Sequence, residues 1–165
     1  LPFLYPNQYV NFSPDSEASK LALSMVSENT SDIDALKQIY NYVVNNLSYD
    51  YDKAETVETG YLPDVDETLS TKTGICFDYA ALTTAMLRSC DIPCKLQIGY
   101  TGDIKHAWID VYIRSKGWVT NAVSFNGDSW SLMDPTFDSS ADSDDSEAIQ
   151  DYIGNADNYT VQFTR

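Results

Sequence analysis

An α+β domain is what this sequence predicts, and three observations carry that reading. Apolar residues recur at helical spacing from Ser31 to about Asn46. The run after Gly74 is apolar around most of a helical cylinder. From Leu96 onward, apolar and polar residues alternate as they do in strands. The chain has 165 residues, enough for one domain with a substantial core. Hydrophobic residues make up 43% and aromatics 13%, a globular composition. We divide this single domain, 1–165, into an N-terminal extension and helix (1–30), a core that holds the candidate chemistry (31–136), and an acidic loop with a terminal strand (137–165).

The first fifteen residues carry Pro2, Pro6 and Pro14 and read as extended. Ala18, Leu21, Ala22 and Met25 then give a helix over 16–28. Ser31 caps the next helix, where Ile33, Leu36, Ile39, Tyr40, Val43 and Leu47 repeat at three- and four-residue steps. Asn45, Asn46 and Ser48 stop it. Residues 49–69 read as irregular, with Gly60 and Pro63 as breakers. A loop of that length in a compact domain is usually functional, and this one leads to Cys76, so it is a candidate cleft wall. The helix beginning near Cys76 carries Phe77, Tyr79, Ala80, Leu82, Thr83, Met86 and Leu87, and ends by Ile92-Pro93. Leu96, Ile98 and Tyr100 form a strand, and Gly102-Asp103 turns the chain into a second strand over 106–113. Ser115-Lys116-Gly117 is a hairpin signal before a strand over 118–122. Asn126-Gly127-Asp128 turns into a strand over 130–133. A short helix is expected over 148–153. Tyr159, Val161 and Phe163 alternate as a last edge strand.

Charge excludes some partners. Twenty-five acidic residues against 10 basic ones give a net charge of −15. Nucleic acid binding needs clustered Lys and Arg, so no nucleic acid partner is expected. An anionic membrane surface is disfavoured for the same reason. No apolar stretch approaches the roughly 20 residues that span a bilayer, so no membrane insertion is expected. The acidity would attract cationic ligands, and it also simply serves solubility. Residues 138–147 are rich in Asp and Ser. Carboxylates at alternate positions can wrap calcium, but the central glycine is missing, so this stretch reads as a solvated loop. No metal or other cofactor is expected. Cys90 and Cys94 could bridge if a turn brings their Cα atoms within about 7 Å, or could stay buried free thiols. Without a second Cys or His pair, they do not form a zinc signature.

The chemistry centres on three residues. Cys76 follows Gly74-Ile75 at the start of a helix, where the helix dipole and unpaired amides favour a thiolate. His106 is the single histidine, so any Cys–His chemistry must use it. Asp134, in Asp134-Pro135-Thr136, could accept the second ring N–H of His106 and orient it. The Cys76 backbone N–H is a natural oxyanion donor. Taken singly, each has a plain structural explanation: a packing cysteine, a satisfied histidine, a turn-opening Asp-Pro. Their joint occurrence in this order favours a cysteine nucleophile.

Gly74-Ile75-Cys76-Phe77-Asp78-Tyr79-Ala80, Leu87-Arg88 with Ile92-Pro93, Ile98-Gly99-Tyr100, His106-Ala107-Trp108 and Asp134-Pro135-Thr136 together closely resemble the transglutaminase-like superfamily. Its core is similar to that of papain-type cysteine proteases. The likeness runs from about Ser31 through Thr136. It implies a Cys-bearing helix packed on an antiparallel β-sheet that carries His and Asp. It implies Cys76 as nucleophile, His106 as base and Asp134 as orienter. It also implies a second oxyanion donor from a side chain upstream of the cysteine, for which Tyr51 is a candidate. Two departures stand out: Cys90 occupies a position where the family often has glycine, and an extra turn around 125–129 lengthens the His–Asp interval. Animal members add β-domains and bind calcium; this chain is short for the former and shows no convincing site for the latter.

The resemblance implies a thioester acyl-enzyme formed from a protein or peptide carboxamide and resolved by an amine or by water. A cysteine peptidase is the alternative, because many microbial relatives look like hydrolases. A non-catalytic binding or scaffold module on the same fold is a third reading. The chain opens at Leu1 without a methionine, as a form trimmed after a targeting segment would, and an extracellular or cell-surface location is expected. Asn-x-Ser/Thr patterns at Asn11, Asn29, Asn46 and Asn158 matter only in a glycosylating host.

Overall fold

The computed structural model describes residues 2–58, 60–101, 104–126, 128–133 and 160–165. Its helices precede its main sheet, as the periodicity predicted. After a 3-10 turn at Pro2–Leu4 come α1 (Glu17–Met25) and α2 (Asp32–Asn46). The Ser31 hydroxyl accepts the Asp34 N–H at 3.1 Å and caps α2. The stretch read as irregular is more ordered than expected. It holds β1 (Ser48–Tyr49), α3 (Tyr51–Thr56), α4 (Val65–Thr71) and β2 (Thr73–Gly74). Each short helix is started by an aspartate: Asp50 accepts from the Lys53 N–H and Asp64 from the Glu67 N–H, both at 3.0 Å. Six- and seven-residue helices are too short to show an apolar period, so only the caps could have announced them.

The Cys-bearing helix, α5 (Cys76–Ser89), is buried at every position but Ser89. Helices α1, α2 and α4 surround it on one side. On the other lies a five-stranded sheet built from β3 (Cys94–Thr101), β4 (Ile104–Ile113), β5 (Gly117–Asn126), β6 (Ser129–Leu132) and β7 (Thr160–Thr164). Their spatial order is β6-β5-β4-β3-β7, and every neighbouring pair is antiparallel. Leu96 and Ile98 of β3 lie opposite Ile109 and Ala107 of β4, and all four are fully buried. This is the α+β architecture expected: a core helix packed on an antiparallel sheet.

Two details position the site. Arg88, buried near the end of α5, donates to the Cys94 carbonyl at 2.7 Å and to the Tyr5 carbonyl at 3.0 Å. It ties the N-terminal extension and the start of β3 to the helix. Strands β4 and β5 do not form a regular ladder. Ile113 pairs with Gly117 and Val111 with Val119, but Ile109 pairs with Val123. Two extra residues on β5 form a bulge around Asn121, whose φ is +54°. The Asp110 carboxylate accepts the Asn121 N–H at 2.8 Å and a Gln97 amide N–H at 2.7 Å, which holds the bulge.

Candidate active site

Cys76 is the first residue of α5, and local sequence explains why the helix starts there. Ile75 is extended, and its N–H donates to Asp78 Oδ2 at 2.9 Å. Asp78 is 0% exposed. It also accepts the Tyr61 hydroxyl proton at 2.5 Å and pairs with Lys53 Nζ at 2.9 Å. A Cβ on Gly74 would stand 2.6 Å from Asp78 Cβ, so Gly74 is needed where the carboxylate folds back on the helix start. Thus Gly74, Cys76 and Asp78 act as a unit: the aspartate fixes the turn that presents the thiol. Burial opposes the charge on Lys53, but its contacts with Tyr61 and Asp78 prevail and raise its pKa. Burial first, and then Asp78, push Tyr61 up to about 12. The stretch suggested as a cleft wall is therefore pinned to the cysteine turn through α3 and Tyr61.

All three cysteines are free thiols, so Cys90 and Cys94 do not bridge. Burial pushes Cys90 up to about 11 and Cys94 up to about 12. Cys76 is buried too, but among the three it alone begins a helix. Tyr49, opposite Gly74 in the parallel β1–β2 pair, sits close enough to feel the Cys76 sulfur. Burial first, then the charges of Cys76 and Asp128, raise Tyr49 to about 12. Tyr51, the upstream candidate donor, is 61% exposed and gives its hydroxyl proton to Asp128 Oδ2 at 2.6 Å. The rings of Tyr49 and Tyr51 meet edge to face at 5.0 Å. Tyr51, the candidate the sequence offered, is thus turned toward the β5–β6 connection, and Tyr49 is a tyrosine that feels Cys76. Tyr79, one turn along α5 from Cys76, stacks on Trp130 at 5.0 Å and meets Phe125 at 5.6 Å. Its buried hydroxyl has no hydrogen-bond partner among the described residues.

His106 lies in β4, directly opposite Asn126 at the end of β5, and is 5% exposed. Its Nδ1 lies 2.5 Å from the Asn126 side-chain oxygen. Alternation sets His106 and Asn126 on one sheet face, and Ala107 and Phe125 on the face that meets α5 through Tyr79. The imidazole thus stands at the end of the sheet, beside Asn126. That same end receives the cysteine turn, by way of Tyr49, Tyr51 and Asp128. Asp134 lies outside the described residues, as do the acidic stretch 138–147 and the helix expected over 148–153. Sequence reasoning passed over Asn126 and treated it only as part of a turn. Continuing the hairpin register from Gly117 without a bulge would have placed Ser124 opposite His106 instead. Among the described residues, no group of three or more His, Cys, Asp or Glu could hold a metal ion.

Comparison with known proteins gives a consistent result. Residues 19–135 match the model of the transglutaminase-like superfamily. The UPF0252 protein MJ1282 of Methanocaldococcus jannaschii is 40% identical over 62 residues, 34% of this chain and 18% of that protein. Mouse kyphoscoliosis peptidase is 24% identical over 136 residues, 75% of this chain and 18% of that protein. The chain thus spans less than a fifth of the length of these curated relatives. Among solved structures, a candidate cysteine protease from Cytophaga hutchinsonii superposes with a TM-score of 0.57 at 18% identity, covering 99% of this chain and 51% of that one. The shared fold is what that likeness shows.

Proposed function

Starting from the fact that this chain belongs to the transglutaminase-like superfamily, we propose that it is a cysteine acyltransferase or hydrolase acting on protein or peptide carboxamides. The Cys76 thiolate attacks the carboxamide carbon of a glutamine side chain or a peptide bond. The carbonyl π electrons move onto oxygen, which the Cys76 backbone N–H stabilises. His106 gives a proton to the departing nitrogen, the C–N bond breaks, and ammonia or an amine leaves behind a thioester. His106 then takes a proton from an incoming amine or water, which attacks the thioester and frees the thiol. An amine yields a new amide; water yields an acid. Exclusion of water from the cleft would decide between them. The single observation that carries this reading is a thiol on the first residue of a buried helix, at the sheet end that holds the chain's one histidine. Likeness to kyphoscoliosis peptidase favours a peptidase as the second reading. The partner in either case is a protein or peptide, and an extracellular or cell-surface setting fits the proposal.

Thiol alkylation tests the reading. At mildly acidic pH, iodoacetamide should label Cys76 on the order of 10²-fold faster than Cys90 or Cys94, whose thiols burial holds protonated. His106→Ala should remove that advantage. Equal, slow labelling of all three in the unmodified chain would refute the nucleophile and leave a non-catalytic module. Incubating a glutamine peptide library with and without a primary amine then separates the activities. An amine adduct marks a transferase, and cleaved or deamidated peptide alone marks a hydrolase.

A further inference from the structure

We propose that Asn126 is the residue that orients His106, the role that the superfamily resemblance gives to the carboxylate of Asp134. The inference deepens the acyl-transfer reading and rests on it. A side-chain amide oxygen accepts and cannot donate, so the ring nitrogen facing it carries the proton. With the proton on Nδ1, the lone pair of the neutral ring sits on Nε2. That is the tautomer a base needs when its other nitrogen is to meet a thiol. Asn126 fixes this tautomer at 2.5 Å without adding a charge to the site.

The contact is built into the fold. His106 and Asn126 are cross-strand partners, so their Cβ atoms stand about 5 Å apart and share one face. The pairing exists because of the β5 bulge, which moves the register by two residues. Asp110, two turns of the pleat along β4 from His106, holds that bulge through the Asn121 N–H. Strand β6 meanwhile runs away from the histidine. Ser129 lies opposite Asn126, but Leu132 already lies opposite Val123, which pairs with Ile109. Asp134 is the competitor for the role, and the experiment sets the two against each other.

The lone histidine makes the test direct, because ¹⁵N spectra of the ring report one residue only. In a Cys76→Ala background, at a pH where the ring is neutral, the spectrum should show protonated Nδ1. Asn126→Ala should move the proton to Nε2, the form free histidine prefers. Asn126→Asp, which keeps an acceptor oxygen, should restore the Nδ1 proton. Asp134→Asn should leave it in place. With Cys76 present, Asn126→Ala should slow Cys76 alkylation on the order of 10²-fold, the scale of assistance lost with a mispositioned base, and Asn126→Asp should recover most of it. An unchanged tautomer in Asn126→Ala overturns the proposal, as does an Asp134→Asn variant that shifts the proton. Slow Cys76 labelling in the unmodified chain, with the tautomer as expected, would sink the acyl-transfer reading and leave the His106–Asn126 contact standing.

Discussion

At the scale of single residues, the start of α5 depends on Asp78 more than on the cysteine it presents. Its carboxylate takes one donor from backbone, one from Tyr61 and one from Lys53, whose side chain is 33% exposed. A buried carboxylate is tolerable only when its lone pairs are used in this way. Gly74 makes room for it. Gly74→Ala should cost about 1–3 kcal/mol, the usual penalty of overpacking, because the obstacle is Asp78 Cβ and not a mobile side-chain tip. Urea denaturation measures the cost. Alkylation of the variant should also slow, since the displaced carboxylate no longer fixes the Cys76 turn. Unchanged stability would mean that Asp78 swings aside freely and that the turn does not depend on it.

At the scale of elements, α5 is the piece around which the domain is assembled. Helices cover one side of it and strands β3, β4 and β5 the other. Leu82 is fully buried in its middle. Leu82→Ala should destabilise the fold by about 2–5 kcal/mol, the range for large-to-small changes in a core that relaxes only partly. Thermal or chemical denaturation checks this, and a loss under about 1 kcal/mol would place Leu82 outside the main core. The strands were readable from alternation, and β5 was found but cut short at Ala122, four residues before its end. The bulge explains the misreading. Alternation breaks over Ala122, Val123, Ser124 and Phe125, which are all buried in succession.

At the scale of the whole molecule, four tyrosines among the described residues report the tightness of the packing. Burial is the first cause for Tyr40, Tyr49, Tyr61 and Tyr79, each raised from 10.0 to about 12. A raised pKa means that the folded state resists ionisation more than the unfolded chain does. The stability from these groups is therefore complete below about pH 10 and is lost as pH climbs through about 12. Alkaline titration followed by tyrosinate absorbance should show a late phase that coincides with loss of circular dichroism. Full ionisation near pH 10 in a folded chain would contradict the packing. The net charge of −15 adds self-repulsion as pH rises, in the same direction.

Much was already written in the order of the residues. Helical spacing announced α2 and α5, alternation announced the sheet, and Gly74, Cys76 and His106 stood out by position and chemistry. Those signals are local, because periodicity and helix starts depend on neighbours a few residues away. The partner of His106 was not readable in that way. It follows from a two-residue shift in strand register, set by a contact from Asp110 to Asn121 across the ladder. The anchoring of Asp78 by Lys53 and Tyr61 likewise joins segments far apart along the chain. A buried polar group takes its partner from whatever the packed fold brings within 3 Å, and that proximity exists only once the chain has closed around it.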